Sequence, residues 1–418
     1  MKINFTKQNY KLILLSGLGG LLEFYDFVIY AVFASYIASN FFPTGNYVTS
    51  LLATFATFSI GYLVRPFGGI VFGHFGDKIG RKASFTVTIF LMAISTFLIG
   101  LVPSYQAIGI VAPIIILLLR ILQGFSVGGA IPGALTYTSE SLAPHYGFAC
   151  GLVSFLVTNG VVLGLLVYAI LSYLLTTQQI ASWGWRIPFF VGGFLGAFSY
   201  YLRREVFESP LFIKVSAKVA KFPLVEVLKN NFRAFICGTF LVALSASLNT
   251  LLFIFTPAYF GSVLKYPVKE FIWINTSSLF VSTLIILLFG FVSDYINKKW
   301  WLLILAILSL ILAGPIFYLF VHPIYSLWIP MLFGALAFGS IMGLVPAILV
   351  ELFPTHIRYS GVAFAYNLGF AIFGGLTPVI AMTLIRYTTV LSSPSYYMML
   401  TSLLGVICAL MLPKRRFL

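Results

Sequence analysis

The decapeptide GHFGDKIGRK at 73–82 has a counterpart 217 positions later, where 290–299 reads GFVSDYINKK. The two align without a gap, matching Gly73 with Gly290, Asp77 with Asp294, Ile79 with Ile296 and Lys82 with Lys299. Glu140 with Pro144 in the first half of the chain, and Glu351 with Pro354 in the second, repeat the echo further on. Self-similarity at a fixed spacing marks a duplicated unit, so the chain reads as two related halves.

Taken as a whole the 418 residues are 60% apolar and only 8% charged, too little polar material to cover a soluble globule. Runs of about 20 apolar residues, long enough to cross a bilayer as a helix, recur about twelve times. They fall near 12–38, 48–72, 83–101, 108–139, 148–175, 185–203, 234–260, 269–292, 301–321, 326–352, 359–386 and 396–413. A transmembrane β-barrel would show segments of about ten residues with alternating polarity, which are not seen. The one long hydrophilic connection, 203–233, separates an N-terminal half (1–202) from a C-terminal half (234–418). The expected fold is therefore an all-α membrane protein of twelve transmembrane helices, in two six-helix halves around a central cavity.

A net charge of +15 suggests nucleic acid at first sight, but here the basic residues sit between apolar runs rather than on one soluble face. Nineteen of the 25 fall in alternate connections and the termini; the opposite set holds only Arg186, Lys265, Lys269 and Arg386. By the positive-inside rule both termini should be cytoplasmic, in a multi-pass protein of a bacterial-type inner membrane. A cleaved signal peptide does not fit, because Glu23 and Asp26 interrupt the first apolar run. Cys150, Cys237 and Cys408 stand singly in apolar segments, without the spacing of a disulfide framework or a metal site. No GxxxxGK[ST] or HExxH stretch occurs, and no segment is large enough for a soluble nucleotide-binding domain. On that ground an enzyme or ATP-driven pump is not expected, and a channel, which would need a repeated filter, would not explain the twofold repeat.

GHFGDKIGRK resembles the signature between the second and third spans of the major facilitator superfamily. EFYDF at 23–27, the run through LVRPFGG at 63–69, RILQGFSVGG at 120–129, WGWRIPFF at 183–190 and FPTHIRYSG at 353–361 are similar to the metabolite:proton symporters of that superfamily. The resemblance implies proton symport of a small polar, zwitterionic or anionic, metabolite by alternating access; relatives carry proline and betaine, α-ketoglutarate, citrate or shikimate. Two departures bear on the substrate: Ala130 stands where relatives place Glu after QGFSVGG, and the basic loop after the fourth span is depleted around His145. The alternative is a major facilitator exporter working by proton antiport. The glycine pattern of such exporters is partly present at Gly151, Gly160 and Gly164, but Leu165 replaces its proline.

Charge deep in a membrane is costly and points to function. Glu23 and Asp26 lie three residues apart and share a helix face with Tyr30. In a low-dielectric site they repel each other and resist desolvation, which suits one of them to carry a proton. The proton is the expected coupling ion, and no cofactor or metal is expected. Arg120 lies about 18 Å along the fourth span and Glu23 about 16 Å along the first, both near the bilayer centre. Arg120 either pairs with Glu23 or Asp26 or receives a substrate carboxylate through its planar fork. Tyr25, Tyr30, Gln123, Asn159, Asn249, Asn275, Tyr366 and Asn367 are further candidates to line the cavity, each equally able to serve as an interhelical hydrogen bond. Arg65, next to Pro66, is expected to snorkel to the interface. Asp77, Arg81, Glu140, Asp294 and Glu351 form a candidate cytoplasmic gate. The expected partners are a small-molecule substrate and the lipid bilayer, with the protein monomeric.

Overall fold

The computed structural model describes residues 7–79, 81–142, 145–203, 223–322, 326–355 and 357–412, and for 7–19, 73–79, 81–86, 137, 141, 199, 202–203, 223 and 268–269 the backbone alone. Among the described residues twelve helical rods follow one another. The first six are α1 (Lys7–Val32), α2 (Tyr47–Leu63 and Arg65–Ile79), α3 (Arg81–Leu101), α4 (Val111–Val127 and Ala130–Ser141), α5 (Tyr146–Leu174) and α6 (Ile187–Arg203). After the short helix Pro223–Asn230 come α7 (Phe232–Val263), α8 (Val268–Val292), α9 (Lys298–Val321), α10 (Trp328–Leu352), α11 (Arg358–Thr388) and α12 (Pro394–Met411). Among the described residues nine helices are long and apolar enough to cross a membrane, and Gly20–Val32 with Ala34–Phe41, bent by 62°, makes a tenth. The shorter apolar Val87–Leu101 of α3 and the 17-residue α6 complete the twelve.

The ends of the rods carry their own stop signals. Asn46 and Asn297 accept from the backbone N–H three residues on and start α2 and α9, while Thr176 and Gln179 form a reciprocal capping box in the α5–α6 connection. Arg186, from WGWRIPFF, donates to the carbonyls of Gly100 and Val102 at 2.7 and 2.8 Å, serving the open C-terminal end of α3. Lys299 does the same for α12 through the carbonyl of Leu410.

Two helices of the second half contain wide turns. In α7 the N–H of Phe255 reaches back five residues to Thr250 (2.8 Å), and in α11 the N–H of Gly375 reaches Phe370 (2.7 Å). Pro257 and Pro378 follow closely in each case, and a proline inside a helix forfeits one backbone bond, which the neighbouring turn absorbs.

Packing sorts the rods. α7 and α10 are almost wholly buried, whereas α9 turns most of its surface outward. Outward-facing Phe194, Phe198, Leu118 and Ile311 give the bundle an apolar exterior, as lipid requires. Glycines let backbones touch: a Cβ at Gly124 would stand 1.8 Å from the carbonyl of Gly61, joining α4 to α2, and one at Gly160 would stand 2.0 Å from that of Leu21, joining α5 to α1. The halves meet along α5 with α8, where Gly151 faces Gly290, and along α2 with α11, where Ser59 donates to Gly375 at 2.5 Å.

Candidate functional site

Glu23 and Asp26 project from one face of α1 into the bundle, each 2% exposed, but they meet different partners. Glu23 is paired with Arg65 of α2. Arg65 does not snorkel: it is 1% exposed, its guanidinium packed on the rings of Phe27 and Tyr62 at 4.8 Å, with Phe24 and, from the other half, Phe370 just under 6 Å away. The helix continues past Arg65 to Ile79, so the side chain sits well inside the rod rather than at its end. That is why the expectation from Arg65-Pro66 failed.

Arg120 is likewise fully buried, its guanidinium 4.4 Å from the ring of Tyr30, 4.7 Å from Phe27 and 5.5 Å from Phe58. Cation–π contact of this kind is worth about 2 kcal/mol or more for a desolvated charge. The expected ion pair with Glu23 or Asp26 is not formed. Arg120 instead donates through Nη1 to the Gln123 amide oxygen at 2.7 Å, while its Nε and Nη2 have no hydrogen-bond partner. The Gln123 amide nitrogen then donates to Thr96 Oγ1 on α3 at 2.6 Å, and Thr96 donates to Asp26 Oδ2 at 2.8 Å. A chain of three hydrogen bonds therefore links Arg120 to Asp26. Asp26 Oδ1, without a partner, lies against Gly192 of α6, where a Cβ would come within 2.5 Å of it.

The other candidate residues separate into two groups. Tyr25 donates to the carbonyl of Pro188, Asn159 to Phe155 of its own helix, and Asn275 to Phe253 beside the wide turn of α7, so all three tie helices or backbone together. Asn249 Oδ1 and the Tyr366 hydroxyl are buried without a partner, and the Tyr366 ring lies tilted against Phe370, which also faces Arg65. Asn367 donates to Gly128 across the halves at 2.5 Å. Thr96 was not singled out by sequence. Its hydroxyl is one of many in apolar spans, and its neighbour Ser95 merely bonds back to Leu91.

At the end of the bundle where the two repeated decapeptides lie, the halves are joined by polar contacts around a cavity of about 680 Å³. Arg358 pairs with Glu140 across the halves at 3.1 Å, and Lys298 with Glu351 at 2.8 Å within the second half. Asp294 accepts from the backbone N–H groups of Gly147 (2.7 Å) and Phe148 (3.0 Å), capping α5 from the opposite half, with His145 3.9 Å away. Tyr359 donates to Gly129. Glu140, Asp294 and Glu351 are thus brought to one rim, where Arg358 and Lys298 are partners that sequence reading had counted only as loop charges. Asp77 and Arg81 lie outside the described side chains. At the opposite end Tyr47 and Ser262 meet at 2.7 Å, and Phe55 rests on Phe255. Contacts between the halves thus stand at both ends of a buried charged centre.

A twelve-helix bundle of duplicated halves, built around paired and unpaired intramembrane charges, defines a multi-pass membrane transporter rather than an enzyme. The family model of the Major Facilitator Superfamily matches residues 16–378, and the chain belongs to that superfamily. It is 35% identical to a "putative proline/betaine transporter" of Staphylococcus aureus (strain COL) over 96% of this chain and 87% of that one. Against the "citrate-proton symporter" of Salmonella typhi the identity is 35%, over 94% of this chain and 92% of the relative. The glycine betaine/proline/ectoine/pipecolic acid transporter OusA of Dickeya dadantii (strain 3937) is 34% identical, over 97% and 83%. Among solved structures, a partially occluded inward-open form of the xylose transporter XylE from E. coli superposes with a TM-score of 0.76, covering 97% of both chains at 19% identity.

Proposed function

We propose that this protein imports a small zwitterionic or anionic organic metabolite bearing a carboxylate, by symport with protons. The observation that carries the reading is Arg120. A guanidinium fully withdrawn from water, with two nitrogens lacking any acceptor and only a neutral amide on the third, is a costly arrangement that a substrate carboxylate would relieve. Asp26, at the other end of the hydrogen-bond chain, is the proton carrier in this reading, and the proton is the only coupling ion. Glu23 is a structural partner of Arg65. Relatives named for proline, betaine and citrate all handle molecules with a carboxylate, which is consistent with the same receptor. The end bearing the repeated decapeptides faces the cytoplasm in this reading, and closure there by Glu140 and Asp294, which bond across the halves, holds the state that opens outward, with Glu351 fixing Lys298 at the same rim.

The test is reconstitution of the purified protein into proteoliposomes with an imposed inward proton gradient, offering labelled proline, glycine betaine and citrate. At least one should accumulate above its external concentration, with acidification of the lumen. If none accumulates and no proton enters with any of them, the symport reading fails; accumulation that requires sodium instead would replace the coupling ion.

A further inference from the structure

We infer that Thr96 and Gln123 are positioning residues that couple protonation of Asp26 to the freedom of Arg120, because the chain of hydrogen bonds between them has a direction that a proton on Asp26 reverses. The inference rests on the symport reading above and assigns it a route.

The direction follows from donor and acceptor chemistry. Arginine only donates, so Arg120 Nη1 fixes the Gln123 amide with its oxygen toward the guanidinium. The Gln123 NH₂ then points at Thr96, whose oxygen must accept, and the Thr96 hydrogen is left to bond Asp26 Oδ2. Every bond in the chain is satisfied while Asp26 Oδ2 accepts, as it does when Asp26 is ionised, and a proton placed on Oδ2 removes that acceptor.

A proton arriving on Asp26 needs an acceptor in turn, since a buried O–H without one costs about 1–3 kcal/mol. Oδ1 has no partner beside it, so the acceptor in reach is Thr96 Oγ1, facing Oδ2. The new Asp26 O–H donates to Thr96. Thr96 turns its own hydrogen to Gln123, and the Gln123 amide flips to offer its oxygen. Its NH₂ now confronts Arg120 Nη1, donor against donor, and the guanidinium loses its last acceptor. No covalent bond other than the new O–H is formed; two hydrogen bonds reverse direction and the one from Arg120 Nη1 to Gln123 is lost. Nη1 then joins Nε and Nη2 in seeking an anion, so protonation favours substrate binding and the bound substrate favours the proton, as linkage requires.

The surroundings leave this route unobstructed. The charges that act on Asp26 are Arg120 from α4 and Glu23 from its own helix, the latter held by Arg65 of α2, with Tyr25 the adjacent titratable group. α3 presents Thr96, α6 presents Gly192, and α5 approaches α1 through Gly160 and Gly164, none of which titrates.

The experiment compares wild type, Thr96→Val, Thr96→Ser and Gln123→Leu in proteoliposomes, using whichever of proline, glycine betaine and citrate the wild type accumulates. Two readouts are taken: the pH dependence of the half-saturating concentration, and the ratio of proton-driven accumulation to substrate exchange. Thr96→Val and Gln123→Leu should flatten the pH dependence and lower the ratio by about tenfold, the factor that about 1.4 kcal/mol of lost coupling produces. Thr96→Ser, which restores the hydroxyl, should recover both. A wild-type pH profile and ratio in either Thr96→Val or Gln123→Leu overturns the inference. So does Thr96→Ser behaving like a folded but uncoupled protein. Should the wild type accumulate none of the three probes, the symport reading falls and this inference with it, a failure distinct from retained coupling in the variants.

Discussion

Glu23 and Asp26 stand less than one turn apart on α1, yet one meets a guanidinium and the other a hydroxyl. The Glu23–Arg65 pair is closed: two opposite charges in contact, wrapped by Phe24, Phe27, Tyr62 and Phe370. Asp26 and Arg120 are held apart by an amide and an alcohol, and each keeps buried polar atoms unpartnered. Arg65 also has two unpartnered nitrogens, but its charge is neutralised in place. Burial and aromatic packing are alike at the two sites, so what separates them is the counter-charge. A paired ion resists change, because removing either partner strands the other, whereas separated ions can each accept a new one. The first arrangement suits a fixed element of the bundle and the second a working site.

The contrast is broken most severely by attacking the closed pair. Arg65→Gln or Glu23→Gln leaves an uncompensated buried charge, and either should destabilise the protein by about 3–5 kcal/mol. Thermal unfolding in detergent would report it. If Glu23→Gln is as stable as wild type and loses proton coupling instead, the roles of the two carboxylates must be exchanged.

The helix contact that carries Arg120 is the next most sensitive feature. A methyl at Gly124 would lie 1.8 Å from the carbonyl of Gly61, a backbone atom that cannot swing aside. Gly124→Ala should therefore cost about 1–3 kcal/mol through overpacking, read as a lowered unfolding temperature, and should lower uptake by displacing Arg120. Unchanged stability would mean that α2 and α4 are less tightly apposed than described.

Arg120→Lys keeps the charge and loses the two-pronged geometry. For a substrate bearing a carboxylate its affinity should fall by roughly tenfold, about 1.4 kcal/mol, and Arg120→Gln should lose more. Calorimetry on both variants decides this; wild-type affinity in Arg120→Gln would make Arg120 a packing element and leave the anion receptor elsewhere.

Smaller still is the effect expected at the rim. Asp294→Asn retains one acceptor for the start of α5 but surrenders the charge, and should weaken closure of that end by about 1 kcal/mol. Labelling of single cysteines on the two faces, in a cysteine-free background, would show more frequent opening at the decapeptide end. Identical labelling would confine Asp294 to helix capping.

Much of this was legible in the sequence, for reasons that differ by level. Twelve rods in two halves followed from apolar run length and from the repeat at 73–82 and 290–299, because bilayer thickness and the cost of bare backbone leave little freedom. Small residues at helical spacing permit close backbone approach, and Gly124, Gly151 and Gly160 do meet backbone. The partnerships at the centre were not legible. Distance along each helix placed Glu23, Asp26 and Arg120 at similar depth, but depth does not specify rotation about the helix axis, and rotation decided that Glu23 faces Arg65. Thr96 escaped because a hydroxyl in an apolar span usually bonds its own preceding turn, as Ser95 does, and only the neighbouring helices reveal the exception. The wide turns of α7 and α11 were hidden for a similar reason, since Pro257 and Pro378 signal a disturbance without fixing its form.

The central claim is that Asp26, and not Glu23, carries the coupling proton, and Asp26→Asn tests it most directly. Asparagine preserves shape and can still accept from Thr96, but it cannot exchange a proton. In proteoliposomes with an imposed pH gradient, the variant should bring the internal substrate only to the external concentration, with no acidification of the lumen, while still exchanging labelled for unlabelled substrate. Accumulation by Asp26→Asn to the wild-type level, with the same proton influx, would contradict the account.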